Sequence, residues 1–414
     1  MNSLLRLNLL LLLAVAIFDP SDLLFHAKVP VFVGVWILLV MDIVISRGGR
    51  YQVPENLYLY IFIFAVLLPL VGLLTYVLRG GGMEGYEGFR YLKSYLFLTL
   101  SIPLAIKRID LIRPLSLVLS VLSVATIFSY AITINDEIFK AQLAAFGDAF
   151  VIFSLTDRSY GGLSYQSLYF HASPLLVIPI VYFCYQFLNT RNWSKLWNGL
   201  FLGINICGMV LSGTRNNMIV GLFAPLLVIA WYKGVKTRLV IAVLLMLAVV
   251  AGLSLGIVQA MFSADEYSNA VKLGHVHDYG LLFSDWRTVV FGQGLGAGFF
   301  STAWGTRVTL TELTYLEIIR NYGIFLASIL FFLIFYPLRM LANPKARADH
   351  YLFLGYACYL YLCTGNPILL SSTGMLVLAV VLLRTFCNSA GVAWRVPVVN
   401  LGMPRAGNYT RATG

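Results

Sequence analysis

Long, uninterrupted apolar runs recur along the whole chain, and they restrict its fold more than any other feature. A helix that crosses the hydrocarbon of a bilayer needs roughly 20 apolar residues and satisfies every backbone group internally. The runs are continuous rather than alternating, which disfavours a transmembrane β-barrel. We predict an all-α integral membrane protein, one polytopic domain over residues 1–414, with about twelve transmembrane helices. Their expected bounds are 4–18, 29–46, 56–78, 92–106, 114–134, 167–188, 197–212, 217–232, 238–262, 311–338, 350–369 and 371–387.

The composition agrees with a chain embedded in a bilayer. Of its 414 residues, 59% are hydrophobic and 11% are charged, and the mean hydropathy is +0.83. A soluble chain of this length needs a more polar surface. The first apolar run follows Arg6 as in a signal peptide, but Asp19-Pro20 succeeds it without a small-residue cleavage pattern. We therefore interpret residues 4–18 as an uncleaved first helix.

The distribution of charge predicts the orientation of the chain. Basic residues concentrate in cytoplasmic loops, and eighteen of the 29 Lys and Arg residues fall on the side of the two termini and the even-numbered loops. Thirteen of the 18 acidic residues fall on the other side. We expect both termini in the cytoplasm and two long outward loops, about 135–166 and 263–310. The net charge of +11 then reflects the basic residues of the cytoplasmic loops. We therefore expect no nucleic-acid partner.

Neither the cysteines nor the histidines show metal-ligand spacing. Five cysteines are scattered in or beside the apolar runs. His275 and His277 precede Asp278 outside any metal-binding framework, and His171 beside Tyr169 is typical of a packed or interfacial histidine. We expect no metal and no other cofactor.

The first outward motif is a tight turn between two short apolar runs, residues 212–217, with the sequence Ser-Gly-Thr-Arg-Asn-Asn. It is too short for a solvated loop, so Arg215 is held at the outer membrane boundary. One interpretation is an arginine that extends to lipid headgroups. The other is a fixed cation for a phosphate, which a guanidinium binds with paired hydrogen bonds.

The second outward motif is rich in glycine and spans residues 292–299. No strand–helix unit surrounds it, so a nucleotide loop is disfavoured, and a tight loop or a close backbone approach is the better interpretation. Arg287 lies just upstream and is a second candidate phosphate ligand. A solvated loop charge is the alternative for Arg287.

The third outward motif opens a membrane helix at residues 311–323. Glu312 and Tyr315 share one face by their spacing, and the helix dipole alone can account for an acid in the first turn. Glu317 and Arg320 lie three residues apart and deeper, and a charge in the membrane requires a partner or a wet cavity. They are candidates either for a structural pair or for substrate binding.

These three motifs, in this order and with a long outward loop between the first and the last, resemble the O-antigen polymerase and O-antigen ligase superfamily. The resemblance covers the C-terminal half, whereas over the N-terminal half only hydropathy and length agree. It implies a GT-C-like membrane glycosyltransferase of the bacterial inner membrane. It also implies a periplasmic substrate, an oligosaccharide linked to undecaprenyl diphosphate, and possible co-operation with a chain-length regulator and a flippase.

The resemblance also implies roles for the candidate residues. The arginine of the short turn corresponds to Arg215, and that of the long loop to Arg287, with Lys272 as a substitute. Glu312 becomes the general base, and Tyr315, Arg320 and Glu317 join Lys272 as candidate substrate ligands. Ligases carry His-Asn where this chain has Glu312-Leu313, which favours a polymerase. A ligase that transfers glycan to lipid A core or protein, and a transporter or flippase, remain the alternatives.

Overall fold

Helices make up most of the protein in a computed structural model that describes residues 2–45, 53–81, 86–160, 163–254, 263, 267–343 and 349–389. Strands within these ranges are confined to two short hairpins. The prediction of an all-α architecture is therefore confirmed for the membrane part of the chain. The end of the predicted span 238–262 and most of the basic C-terminal tail lie outside the described residues.

Apolar sequence sets the bounds of the helices in the first half of the chain. They are α1 Asn2–Phe18, α2 Lys28–Ile45, α3 Glu55–Ile61, α4 Leu68–Leu78, α5 Tyr86–Leu96, α6 Ser101–Lys107, α7 Ile112–Thr133 and α8 Glu137–Phe150. A π-helical segment, Phe62–Leu67, joins α3 to α4 without interruption, and a 3₁₀ turn, Phe97–Leu100, joins α5 to α6. The predicted span 92–106 is thus a chain of short helical pieces.

A β-hairpin occupies part of the first long loop, about 135–166, which the charge distribution predicts to face outward. Strands β1 (Phe153–Tyr160) and β2 (Leu163–Phe170) pair in antiparallel register, with Phe153 opposite Phe170. The predicted span 167–188 therefore begins too early, because its first residues belong to β2. A 3₁₀ turn, Ser173–Leu176, follows the strand before the helix starts.

The second half of the chain supplies the remaining helices and a second small hairpin. The elements are α9 Val177–Asn189, α10 Asn192–Leu211, α11 Arg215–Tyr232, α12 Val235–Ser254, α13 Tyr267–Leu282, α14 Trp286–Phe291, β3 Phe299–Ser301, β4 Thr306–Val308, α15 Thr314–Leu341, α16 His350–Leu362 and α17 Ser372–Ser389. Helix α9 lies at the centre of this half and packs against α7, α10, α11 and α16.

Five helical stretches of the described chain are long and apolar enough to cross a membrane. They are Lys28–Ile45, Glu55–Leu78, Ile112–Thr133, Asn192–Leu211 and Thr314–Leu341. Their outer faces expose large apolar side chains such as Leu74, Phe128 and Phe332. In water such apolar faces would cause aggregation, whereas in a bilayer the lipid tails solvate them. The chain is therefore a helical membrane protein.

Helix α15 is interrupted one third of the way along. Gly323 has a φ of 68° and a non-helical ψ of 167°, a combination that glycine adopts almost alone. The break divides the long predicted span 311–338, and helical structure continues after it through Pro337 to Leu341. Because α15 begins at Thr314, Glu312 precedes the helix instead of lying in its first turn.

Candidate functional site

A cavity of about 590 Å³ is lined by the tight turn of residues 212–217, by both long loops and by the segment before α17. Its walls come from parts of the chain that are far apart in sequence, so only the folded protein creates it. They are Ser154, Tyr169 and His171 of the hairpin region, Thr214–Asn216 of the tight turn, Ser268, Asn269 and Lys272 of α13, Trp304, Glu312, Leu313, and 364–367 before α17. We call it the Glu312 cavity.

The tight turn fixes Arg215 in the wall of this cavity. Arg215 is the first residue of α11 and is only 8% exposed. Gly213 has a φ of 69°, and a Cβ there would collide with Ser167 of β2. The hydroxyl of Tyr165 donates to the Gly213 carbonyl at 2.7 Å, so the hairpin clamps the turn. The backbone that leads into Arg215 is therefore held in place by the hairpin.

Lys272 and Glu312 form a long ion pair across the same cavity. The Lys272 Nζ lies 3.8 Å from Glu312 Oε2, and the two side chains are 29% and 40% exposed. A pair this open is worth little to stability, on the order of 0–1 kcal/mol. Both groups are accessible to an incoming ligand, which distinguishes them from ion pairs that only stabilise the fold.

Asn366, in the cavity-lining segment 364–367, forms hydrogen bonds to three neighbouring elements. Its Oδ1 accepts a 2.6 Å hydrogen bond from the Tyr169 hydroxyl, and its carbonyl accepts one of 2.9 Å from the Thr314 hydroxyl. Its Nδ2 donates to the Leu362 carbonyl at 2.7 Å. A single amide thus joins the hairpin, the start of α15 and the end of α16, a role that sequence analysis missed because an Asn between Gly and Pro is typical of any loop.

The cavity wall also contains two aromatic side chains, His171 and Trp304, that the sequence analysis did not identify as site residues. His171 stands edge-on to Tyr169 at 5.7 Å between ring centroids, and burial lowers the pKa of its imidazole. Burial therefore favours the neutral form of this imidazole. Trp304 is 41% exposed and makes a T-shaped ring contact with the buried His275, so part of its indole is accessible from the cavity.

Arg287 requires a correction, because the structure does not bring it to the Glu312 cavity. It lines a separate, open cavity of about 630 Å³ with Arg79, and it is exposed beside the ring of Trp286. The reason is local: Asp285 caps α14 by accepting from the backbone amides of Arg287 and Thr288, which directs this short helix away. The hydroxyl of Thr288 lowers the pKa of the Asp285 carboxyl. The second cation of the Glu312 cavity is Lys272.

Arg320 and Glu317 also require a correction as candidate substrate ligands. Arg320 is fully buried, and its Nε and Nη groups donate to both Glu317 oxygens, Gln293 Oε1, and the carbonyls of Ala297 and Thr309. A guanidinium has five N–H donors, and all five are used. Glu317 further accepts from Tyr279 at 2.5 Å and from Asn321 at 3.0 Å. We call this group the Arg320 network.

The Arg320 network explains the glycine-rich motif. The amides of Gln293 and Gly294 donate to the carbonyls of Arg320 and Asn321, which the break in α15 leaves free. A Cβ on Gly294 would collide with the backbone of Tyr76. The prediction of a close backbone approach is therefore confirmed, and the motif braces α15 against α4.

Tyr315 does not reach the Glu312 cavity either. Its hydroxyl donates to the Leu360 carbonyl at 2.8 Å, and its ring packs against Phe331 and Phe335. Because α15 starts only at Thr314, the second helical position faces α16 instead of the cavity. The shared face with Glu312 that the spacing predicted is therefore absent.

The chemistry that this arrangement offers is specific. Two cations, Arg215 and Lys272, and one carboxylate, Glu312, surround a space that also presents amide and hydroxyl groups. Fixed cations stabilise negative charge best where water is largely excluded, and a carboxylate can accept a proton. Within the described ranges, no group of three His, Cys, Asp or Glu side chains is placed to hold a metal ion.

Comparison with known proteins assigns no family to the chain: no family model matches it, and no curated protein matches it.

Proposed function

We propose that this protein is a membrane glycosyltransferase that polymerises oligosaccharide repeat units carried on undecaprenyl diphosphate. The observation that carries the proposal is the meeting of Arg215, Lys272 and Glu312 in one cavity. Arg215 and Glu312 come from two motifs that the sequence singled out separately, and Lys272 is the substitute that it named for Arg287. A lipid-borne diphosphate substrate requires such cations, and transfer to a hydroxyl requires a base.

The proposal includes a topology. The helices that overlap the predicted runs form about twelve transmembrane passes in a GT-C-like arrangement. The membrane is the bacterial inner membrane, and both termini lie in the cytoplasm. The Glu312 cavity then opens at the periplasmic side, where a finished repeat unit arrives after a flippase has moved it and where a chain-length regulator can act.

Arg215 and Lys272 bind the diphosphate of the donor. Arg215 is mostly buried and starts from a turn that the hairpin holds in place, so little reorganisation of the backbone is needed when negative charge develops on the leaving group. Lys272 faces it as a point charge on a flexible stem. Its ion pair with Glu312 is long, at 3.8 Å, so the ammonium can turn to a phosphate oxygen without a large loss of stability.

Glu312 removes the proton from the attacking hydroxyl of the acceptor sugar. The hydroxyl oxygen forms a bond to the anomeric carbon of the donor, and the bond from that carbon to the diphosphate oxygen breaks. The electron pair leaves with the diphosphate, whose charge Arg215 and Lys272 balance, and the proton passes to the Glu312 carboxylate. Direct displacement inverts the anomeric centre.

The remaining walls suit a sugar chain. Asn216, Ser268, Asn269 and Thr364 line the cavity with amide and hydroxyl groups. Small polar groups of this kind orient the hydroxyl-rich surface of an oligosaccharide by hydrogen bonds. The exposed part of the Trp304 indole adds an apolar surface. The cavity volume of about 590 Å³ is in the range of small-molecule sites.

The test is reconstitution of the purified full chain in liposomes with lipid-linked repeat units as the sole glycan. We expect a ladder of longer chains, visible on a gel, from the wild type. Glu312→Gln should abolish the ladder at equal protein level, whereas Glu137→Gln, which removes an exposed carboxylate on α8, should leave it intact.

Three outcomes oppose the proposal. A full ladder from the Glu312→Gln variant would show that Glu312 is not the general base. A reaction that begins only when lipid A core or an acceptor protein is added identifies a ligase. Movement of the lipid-linked unit between leaflets without a new glycosidic bond identifies a flippase.

A further inference from the structure

The cavity of about 630 Å³ that contains Arg287 has no part in the proposed reaction, and its lining combines arginines with exposed apolar side chains. It lies between the end of α4 and the short helix α14. The lining residues are Thr75, Leu78 and Arg79 of the first segment and Asp285, Trp286, Arg287 and Phe291 of the second. We call it the Arg287 cavity.

The Arg287 cavity lies at the end of a membrane-spanning stretch. The stretch Glu55–Leu78 has 24 apolar helical residues, and at about 1.5 Å per residue they cover roughly 36 Å. The hydrocarbon of a bilayer is roughly 30 Å thick, so both ends of the stretch reach the lipid headgroups. Arg79 follows Leu78 directly, and its Nη1 donates to the Thr288 hydroxyl at 3.1 Å. This hydrogen bond holds α14 beside the headgroup end of α4.

Large apolar side chains surround the cavity and are open to the surroundings of the protein. Trp286 and Phe291 of α14 are 62% and 57% exposed, and Leu78 of α4 is 76% exposed. Exposed apolar groups of this size next to each other indicate contact with a membrane or a partner. Tryptophan is enriched where lipid headgroups meet the hydrocarbon, because its ring is apolar and its N–H is polar. The rim of the cavity therefore suits the upper part of a lipid.

The charged residues that line the cavity are two arginines, Arg79 and Arg287, and one acid, Asp285, so they sum to +1. The Asp285 carboxylate accepts from the backbone amides of Arg287 and Thr288 and from the Thr288 hydroxyl, and it lies 3.9 Å from Arg79 Nη1. The Arg287 guanidinium lies 5.9 Å from the centre of the Trp286 ring. Among the residues that the structure describes, it has no carboxylate partner. One positive charge of the lining is therefore unmatched there.

We propose that the Arg287 cavity binds the phosphate of an anionic phospholipid such as phosphatidylglycerol, while the rings of Trp286 and Phe291 lie beside the tops of its acyl chains. Two guanidinium groups suit a phosphate because each can donate paired hydrogen bonds to its oxygens. Charge selects the lipid class. A headgroup of charge −1 matches the lining, whereas the ammonium group of phosphatidylcholine finds a single carboxylate, Asp285, that the protein already engages.

A phospholipid in this cavity also supports the next part of the chain. Helix α14 packs against α15 and leads directly into the glycine-rich motif, residues 292–299, whose amides bind the free carbonyls of α15. A lipid that fixes α14 at the bilayer surface therefore stabilises the position of α15. Because the lipid binds the native protein, it should raise the melting temperature.

Binding of short-chain lipids to the purified full chain tests the inference. The delipidated protein in a non-ionic detergent is titrated with dioctanoyl phosphatidylglycerol or dioctanoyl phosphatidylcholine, and bound lipids are counted by native mass spectrometry. We expect tighter binding of phosphatidylglycerol. Arg79→Ala and Arg287→Ala should each weaken it about tenfold or more, because each removes a charged hydrogen-bond donor from the phosphate. Arg339→Ala, which removes an exposed arginine in the last turn of α15, is the matched control and should bind like the wild type.

Melting temperatures separate lost binding from lost folding. Without lipid, Arg287→Ala should melt like the wild type, because its guanidinium forms no ion pair within the described chain. Phosphatidylglycerol should raise the melting temperature of the wild type more than that of Arg287→Ala. Trp286→Ala keeps both cations, so it should bind both lipids more weakly and retain the preference for phosphatidylglycerol.

Three results contradict the inference. The first is equal affinity of the wild type for the two lipids, and the second is unchanged affinity of Arg287→Ala for phosphatidylglycerol. The third is displacement of phosphatidylglycerol by inorganic pyrophosphate at equal concentration, which would identify a site for the diphosphate of a carrier lipid. None of these measurements requires glycan transfer, so failure of the proposed function would leave the phospholipid site standing.

Discussion

Glu312 and Glu317 are five residues apart, and each lies beside a basic side chain, yet the two surroundings differ in every physical respect. Glu312 is 40% exposed in a cavity and lies 3.8 Å from Lys272. Glu317 is buried, and its two oxygens accept from Arg320, Tyr279 and Asn321. The first pair is partly exposed within the cavity, whereas in the second pair all five N–H donors of Arg320 and both oxygens of Glu317 already have partners within the protein.

This comparison shows how to separate function from structure in a chain with many intramembrane charges. A buried charge that is fully hydrogen-bonded stabilises the arrangement around it, and its loss leaves the partner uncompensated. A half-exposed charge in a loose pair contributes little to folding but can act on a substrate. The Glu312 cavity and the Arg320 network should therefore respond to substitution in opposite ways.

The largest effect is expected on activity at Glu312. General base catalysis is worth typically 10²–10⁴-fold, so Glu312→Gln should reduce the initial rate of chain elongation by about that factor. The melting temperature in detergent should stay close to that of the wild type, because the lost ion pair is exposed. If Glu312→Gln lowers the melting temperature as well as the rate, Glu312 is also needed for stability, and the contrast with the Arg320 network is wrong.

Arg320→Ala should show the opposite pattern. Removing one partner of a buried ion pair costs about 3–5 kcal/mol, and here it also leaves Glu317, Gln293 and two carbonyls without their donor. We expect a strongly lowered yield of monodisperse protein and a lowered melting temperature, measured by fluorescence-detected size exclusion. Normal stability with lost activity would place Arg320 in the catalytic machinery instead.

The two candidate arginines provide the next comparison. Loss of a well-placed stabiliser of negative charge costs on the order of 10²–10³ in rate, so Arg215→Ala should lower elongation by about that much. Arg287→Ala should leave the rate within about twofold, because its side chain lies in the separate cavity beside Arg79. Equal losses from the two variants would restore the role that the sequence predicted for Arg287.

The smallest expected effect concerns the clamp on the turn. Tyr165→Phe removes one hydrogen bond to the Gly213 carbonyl, which is worth about 0.5–1.5 kcal/mol. Elongation should fall less than in Arg215→Ala, and excess lipid-linked donor should restore part of it, since Arg215 is still present. Tyr130→Phe, outside the cavity lining, is the matched control and should show neither effect.

The sequence predicts the helical membrane class and the approximate helix positions well, because hydrophobicity acts over many residues at once. It also predicts the neighbourhood of Arg215 and Glu312. The hairpin of β1 and β2 was missed because its Ser, Thr and Tyr residues lie directly against an apolar run. The sequence grouped Arg287 with Arg215 as a phosphate ligand, whereas the structure places it on the short helix α14 in a separate cavity, a position that depends on the folded chain. The pairing of Lys272 with Glu312 joins positions forty residues apart and depends on the folded chain alone.

The Glu312 cavity draws its walls from residues as early as Ser154 and as late as Pro367, and this has a consequence for the biogenesis of the protein. A ribosome that has delivered only the first two thirds of the chain has produced most of the helices but no working site. The cavity is complete only after residues 364–367 have been added to the chain. A nascent or prematurely terminated chain therefore lacks part of the wall, and the site is assembled only near the end of synthesis.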